Sequence, residues 1–251
     1  MSLYNAEAIV IRCRDFDEAD KVAVLLTREE GKVQAVAKGA RRPRNRYAPA
    51  VQLFTHIKAA LFHGRNLDSF SQVEIVESFR TLREDLLRMA YATYVCELMD
   101  ESVREKQRLE QTFLLLLTTL HLLNAPEMEP EPILRAYELK LLSILGFRPQ
   151  LESCVSCGQD LGANPTVRFA PGLGGVLCPN CSAEGDLVHR IARGTLESMK
   201  RLLDGDIRRA HMIRIPPEMR LEMDKVIGDY YAIRTERRPK SKEFLDTLRT
   251  V

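Results

Sequence analysis

"AEAIVIRCR", residues 6–14, alternates in a way that places Ile9, Ile11 and Cys13 on one face of an extended chain and Val10 and Arg12 on the other. Successive side chains of a strand point to opposite faces, so this period of two predicts a β-strand. The pattern continues through "KVAVLLT" (21–27), the turn "REEG" (28–31) and "KVQAVAKGA" (32–40). Beyond a basic loop come "VQLFTHIKAALF" (51–62), the turn "HGRN" (63–66) and "DSFSQVEIVESF" (68–79). Five strands with short turns inside the first eighty residues predict a small closed barrel, because closure buries the inward faces and removes sheet edges. A five-stranded OB-fold is the economical candidate, and an SH3-like barrel also fits the pattern.

From residue 82 the period becomes helical. "LREDLLRMAYATYVCELMDES" (82–102) carries a stripe of Leu86, Met89, Ala90, Thr93 and Glu97 beside one of Leu87, Tyr91, Tyr94, Val95 and Leu98. "LEQTFLLLLTTLHLLN" (109–124) is apolar nearly all round, which predicts a central, buried helix. "ILRAYELKLLSILGF" (133–147) predicts a third helix with Gly146 as its C-terminal cap. "GTLESMKRLLDGD", "PEMRLEMDKVIGDYYAIRTER" and "SKEFLDTLR" predict three more toward the end. The expected division is a barrel over residues 1–80 and a helical domain over 81–251, interrupted at about 150–190.

The interruption is defined by cysteine. Cys154, Cys157, Cys178 and Cys181 read C-x2-C-x20-C-x2-C, four of the six cysteines in the chain. Four thiolates fill the tetrahedron around Zn2+ and leave no position for water, so the predicted site is a structural zinc ribbon with one ion per chain. "APGLGG" between the pairs reads as the hairpin turn of the ribbon. The competing reading is a redox dithiol, which normally opens a helix within a βαβ unit; no such unit surrounds these cysteines. Cys13 and Cys96 read as small core residues.

Over 251 residues the net charge is only +2, with 45% hydrophobic and 29% charged side chains, ordinary values for a globular protein. The opening "MSLYNAEAIVIRCRD" lacks the basic flank and apolar run of a signal peptide, and no apolar stretch approaches a membrane span, so a cytoplasmic location is expected. The charge is distributed unevenly. Residues 1–80 hold 13 basic and 10 acidic side chains, whereas 81–150 hold 8 and 11. Lys38, Arg41, Arg42, Arg44 and Arg46 fall within nine positions without an acid among them, and Tyr47 follows. Cations for phosphates and a flat ring for a base are what single-stranded nucleic acid requires, so this loop is the expected DNA contact. A second basic cluster, Arg234, Arg237, Arg238, Lys240 and Lys242, is the competing surface.

Enzyme signatures are weak. "DEAD" (17–20) would need a phosphate loop of the G-x-x-x-x-G-K-[ST] kind, which the chain lacks. The stretch from Asp15 also fails as a calcium loop, with Asp20 where glycine is needed and Leu26 where the last carboxylate belongs. The five histidines are scattered, and His121 within the apolar helix reads as a core residue. No catalytic constellation assembles, and the protein is expected not to be an enzyme.

Several stretches carry a resemblance. "AEAIVIRCRDFDEADKVAVLLTREEGKVQAVAKGARR" (6–42), "FHGRNLDSFSQVEIVESF" (62–79), "YELKLLSILGFRPQLESCVSCG" (137–158) and "RPKSKEFL" (238–245) stand in the order found in the RecO family of bacterial recombination mediators, which the chain resembles along its whole length. The resemblance implies an N-terminal OB-fold and a helical bundle carrying the ribbon. It implies binding of single- and double-stranded DNA, annealing of complementary strands, and cooperation with RecR and single-strand-binding protein in loading RecA, in the cytoplasm at the nucleoid. It also implies that the acidic, apolar-ended tail of single-strand-binding protein docks on the helical domain, for which Arg135 and Lys140 beside Leu139, Leu142 and Leu145 are the candidates. Two other classes stay open: a ribbon-bearing RNA or transcription factor, and a thiol redox enzyme.

Overall fold

The computed structural model describes residues 2–105, 107, 110–183, 185 and 187–249. The chain forms two compact units, Met1–Pro126 with Pro239–Val251, and Glu127–Arg238.

In the first unit, β1 (Leu3–Phe16), β2 (Asp20–Thr27), β3 (Gly31–Ala37), β4 (His56–Phe62) and β5 (Asp68–Glu77) close into a barrel of order β1-β2-β3-β5-β4. The pairs are antiparallel except β3 with β5, which meet in parallel at Ala35–Asp68 and Val36–Ser69. This is the OB-fold order and not that of a simple meander. The "TREEG" turn closes on itself: the Thr27 hydroxyl donates to the Gly31 carbonyl at 2.8 Å and accepts the Glu30 N–H at 2.9 Å. Gly31 there has φ +72°, a conformation that glycine adopts at no steric cost.

The single face expected for Ile9, Ile11 and Cys13 needs correction. Ala8 and Val10, not Ile9 and Ile11, belong to the barrel core. A β-bulge between Val10 and Arg12 inserts one residue, after which Cys13 turns inward and packs against the same core. Ile9 and Ile11 are also buried, but on the outer side. Ile11 there shares a cleft with Thr93 and Glu97 of α2 (Leu86–Ser102). Both faces of β1 are apolar because both are covered. The expected fourth strand also starts late. Residues 51–54 form turns and a bend, Phe54 has φ +75°, and Val51 reaches into the barrel core.

The helix expected over 82–102 is two helices. α1 (Arg80–Glu84) ends at Asp85, whose carboxylate accepts the Arg88 N–H at 3.0 Å and starts α2. Leu86 and Leu87 consequently lie in an exposed first turn, outside the stripes assigned to them. α3 (Glu110–Asn124) is not buried all round, since Leu114 and His121 are exposed. Its C-terminal carbonyls are closed by Arg88, which donates to Leu123 and Ala125 at 2.9 Å each and to Pro126 at 2.6 Å. α7 (Ser241–Arg249) packs on α2, where the Glu97 carboxylate accepts the N–H groups of Lys240 and Ser241.

In the second unit, α4 (Pro130–Ile144) ends as expected at Gly146, which has φ +88°. The Phe147 N–H bonds the Leu142 carbonyl and the Gly146 N–H the Ser143 carbonyl, a Schellman ending. A three-stranded antiparallel sheet follows: β6 (Thr166–Ala170) lies between β7 (Gly175–Leu177) and β8 (His189–Ala192). The "APGLGG" turn joins β6 to β7, and the four-residue β8 was too short to stand out in the sequence. α5 (Arg193–Asp204), a 3-10 turn (Ile207–Met212) and α6 (Pro217–Thr235) complete the unit.

Candidate nucleic-acid interface and metal centre

The basic loop leaves β3 and is held at its base by the acidic turn between β1 and β2. The Asp20 carboxylate accepts the Gly39 N–H at 2.7 Å, and the Ala19 carbonyl accepts the Arg41 N–H at 2.9 Å. "DEAD" is thus the seat of the loop and not a metal-binding motif. Lys38, Arg41, Arg42, Arg44 and Arg46 are all exposed. They are not equally available. The Arg41 guanidinium lies 3.5 Å from Asp15 and donates to the Asp17 carbonyl at 3.1 Å. Arg46 lies over the Tyr47 ring, 4.7 Å from its centroid, and donates to the Ser71 carbonyl at 2.9 Å. Lys38, Arg42 and Arg44 have no side-chain partner among the described residues, and they leave three cations facing solvent.

Tyr47 corrects the sequence expectation. Its ring is 7% exposed and belongs to the barrel core, tilted against Phe70 at 5.8 Å. Its hydroxyl donates to the Ser71 carbonyl at 3.0 Å and receives Arg46 at 2.6 Å. A ring used as a plug offers no face to a base. Tyr47, Ala50, Val51 and Phe54 recur at spacings of three, one and three, an apolar helical face in the sequence that pointed to this burial.

The four cysteines converge. Their sulfurs all lie within 4.8 Å of one another, and Cys157 and Cys178 Sγ are 3.7 Å apart. The sulfur–sulfur edge of a tetrahedral thiolate site is about 3.8 Å for metal–sulfur bonds of ~2.3 Å. Burial opposes ionisation of Cys154, but the backbone N–H groups of Cys178, Cys157 and Ser156 outweigh it and hold the thiol down at about 6. Cys181, crowded by the sulfurs of Cys157, Cys178 and Cys154, is pushed up to about 12. Four sulfurs at this spacing cannot all ionise without a cation among them, and the donor set fits a metal ion. The first knuckle is tied to β7 by the Val155 N–H on the Val176 carbonyl, and Gly158 at φ +75° closes its turn on the Cys154 carbonyl. The second knuckle is gathered by a residue that the sequence did not single out. Arg168 Nη2 reaches the carbonyls of Cys178, Pro179 at 3.0 Å and Cys181 at 2.7 Å.

The barrel with its cationic loop and the region of the four-cysteine sheet each match a family model. The description "Recombination protein O N terminal" matches residues 1–79 and "Recombination protein O C terminal" matches residues 83–243. The chain belongs to the RecO family. It is similar to the DNA repair protein RecO of Symbiobacterium thermophilum, with 64% identity over 251 residues, 100% of this chain and 99% of that one. The RecO of Pelotomaculum thermopropionicum is 40% identical over 246 residues, 98% of this chain and 94% of its own. That of Thermoanaerobacter sp. is 33% identical over 251 residues, the full length of both. Repair and recombination of DNA are the work of this family.

The helical-domain residues expected to meet a partner of RecO do not form a pocket rim. Arg135 is fully buried, bonded to Glu131 and Glu138 at 2.8 Å each and to Asp224. Carboxylates four residues before and three after it in α4 are the signature of pairing along one helix, and the apolar residues around them take the whole set inside. Lys140 donates to the carbonyls of Leu203 at 2.8 Å and Gly205 at 2.6 Å, closing the end of α5. The competing basic cluster is also partly occupied: Arg234 donates to the Gly172 carbonyl and Lys242 pairs with Asp246 at 2.7 Å. No helix among the described residues is long and apolar enough to cross a membrane.

Proposed function

We propose that this chain is a non-catalytic recombination mediator. It binds single- and double-stranded DNA through its barrel, anneals complementary strands, and with RecR loads RecA on strands coated with single-strand-binding protein, in the cytoplasm at the nucleoid. Residues 1–80 act as the nucleic-acid-binding domain and 81–251 as the domain that carries the ribbon and meets partners. The observation that carries the reading is the set of unpartnered cations Lys38, Arg42 and Arg44 on a loop seated beside a closed OB barrel, with Arg41 and Arg46 flanking them. Such loops follow the phosphate backbone without reading sequence.

The ion between Cys154, Cys157, Cys178 and Cys181 is Zn2+, because four thiolates in a reducing compartment select a soft tetrahedral ion without redox chemistry of its own. It supplies cross-linking and no open coordination position. The acidic, apolar-ended tail of single-strand-binding protein docks on the cleft of about 340 Å3 formed by Leu202, Ala210, Met212 and Ile213. The exposed Arg201 and Arg209 line it, together with Asp206, whose charge Arg208 neutralises at 2.6 Å and Arg209 also faces. This places the tail away from the buried Arg135.

Annealing decides the function. Complementary oligonucleotides coated with single-strand-binding protein should pair faster with this protein than without it, and equal rates would end the mediator reading. Titration of the tail peptide against Arg201→Glu, Arg209→Glu checks the cleft; unchanged affinity would place the tail elsewhere.

A further inference from the structure

With Tyr47 inside the barrel, the flat face that single-stranded nucleic acid needs must come from another residue. The turn between β4 and β5 supplies one. Tyr4 on β1 and His63 at the end of β4 stack with ring centroids 4.2 Å apart and planes 18° from parallel. Tyr4 backs one face of the imidazole, while the His63 side chain remains 45% exposed.

Each member of the pair is tied to its surroundings. The His63 N–H bonds the Ser2 carbonyl at 2.9 Å, and the Tyr4 hydroxyl donates to Asp68. Asp68 also accepts the Gly64 N–H at 3.0 Å. A Cβ at Gly64 would lie 1.8 Å from the Leu67 carbonyl oxygen, so the turn admits no side chain at that position. Arg65, next in the turn, is exposed and has no side-chain partner among the described residues. The turn opens onto β5 at Asp68, which pairs with Ala35 of β3, and Arg46 reaches Ser71 three residues further along β5. Three residues of strand span about 10 Å, which sets the stack and the basic loop along one side of the barrel. This turn and the β2–β3 side are where OB-folds take oligonucleotides in general.

We propose that His63, backed by Tyr4, is a base-stacking platform for a nucleobase of a single strand whose phosphates meet Arg65 and the basic loop. The proposal rests on the nucleic-acid reading above and adds to it the residue that contacts the bases. Backing by a second ring keeps the imidazole from rotating away, and stacking is tolerant of base identity because every base has a π-face.

The test separates bases from phosphates. Wild type, His63→Ala and His63→Phe are titrated with an oligothymidylate and with an abasic strand of the same length, which carries the same phosphates. His63→Ala should bind the thymidylate strand about tenfold more weakly and the abasic strand as wild type does. His63→Phe should restore the thymidylate affinity. The chain has no tryptophan, so His63→Trp provides a single fluorophore, quenched by the thymidylate strand and not by the abasic one. Unchanged thymidylate binding in His63→Ala overturns the platform while leaving the DNA reading intact, and so does equal weakening toward both strands. A wild type that binds neither strand overturns the DNA reading and the platform with it.

Discussion

Arg168 shows how one side chain can set a site it does not ligate. Its guanidinium gathers three carbonyls of the second cysteine knuckle, groups that would otherwise point at one another with no donor between them. It also places a positive charge beside a cluster of thiolates, as outer-shell partners of metal ligands do. Arg168→Met should lower zinc affinity by about 10- to 100-fold, measured by competition with a chromogenic chelator; affinity within a factor of two of wild type would make Arg168 a bystander. Tyr47 is the opposite case, a residue whose chemistry suggested a ligand contact and whose position makes it structural. Tyr47→Ala empties a site in the barrel core and should destabilise the first unit by about 3–5 kcal/mol, the range for large aromatic truncations, in urea denaturation. A stability change below ~1 kcal/mol, small for a core truncation, would mean that the ring leaves the barrel in solution.

At the scale of elements, the basic loop is a divided structure. Arg41 and Arg46 bind the barrel, whereas Lys38, Arg42 and Arg44 are free to meet phosphates. Each contact with a single strand contributes about −0.7 to the log–log salt slope, so three give roughly −2. Replacing Lys38, Arg42 and Arg44 together by Ala should flatten the slope by that amount and leave thermal stability unchanged, since exposed, unpaired cations contribute little to the fold. An unaltered slope would assign the DNA to another surface, Arg237 and Arg238 first. Elements also show what the sequence could convey. The five strands were legible because their turns carry their own chemistry, as Thr27 and Gly31 do, and Gly146 announced the end of α4. The phase of β1 was not, because barrel and helix cover its two faces and a bulge at Ile11 switches sides without any change in residue type. The Arg135 network escaped for a related reason: Glu131 and Glu138 give the same spacing on a solvated face as on a buried one, and only the packing of the second unit decides between them.

For the whole molecule, the division at Pro126 and Pro239 has a consequence for the metal. All four cysteines, Arg168 and the sheet they brace belong to the unit Glu127–Arg238, and none of the barrel strands does. A metal ion held by four thiolates contributes on the order of 10 kcal/mol to the folding of its own module, as much as the whole marginal stability of a typical domain, about 5–15 kcal/mol. The knuckles are joined to the rest of the sheet through Gln150 and Val155 on β7, so loss of the ion should propagate first along 150–192. Removal of the proposed zinc with a strong chelator, or Cys154→Ser, should therefore raise amide exchange over 150–192, while β1 to β5 keep their protection and the salt-dependent DNA binding proposed for the loop is unchanged. Hydrogen exchange read by mass spectrometry distinguishes the outcomes. Equal loss of protection in the barrel would show that the two units fold as one cooperative body, and the ribbon would then be a staple for the entire chain.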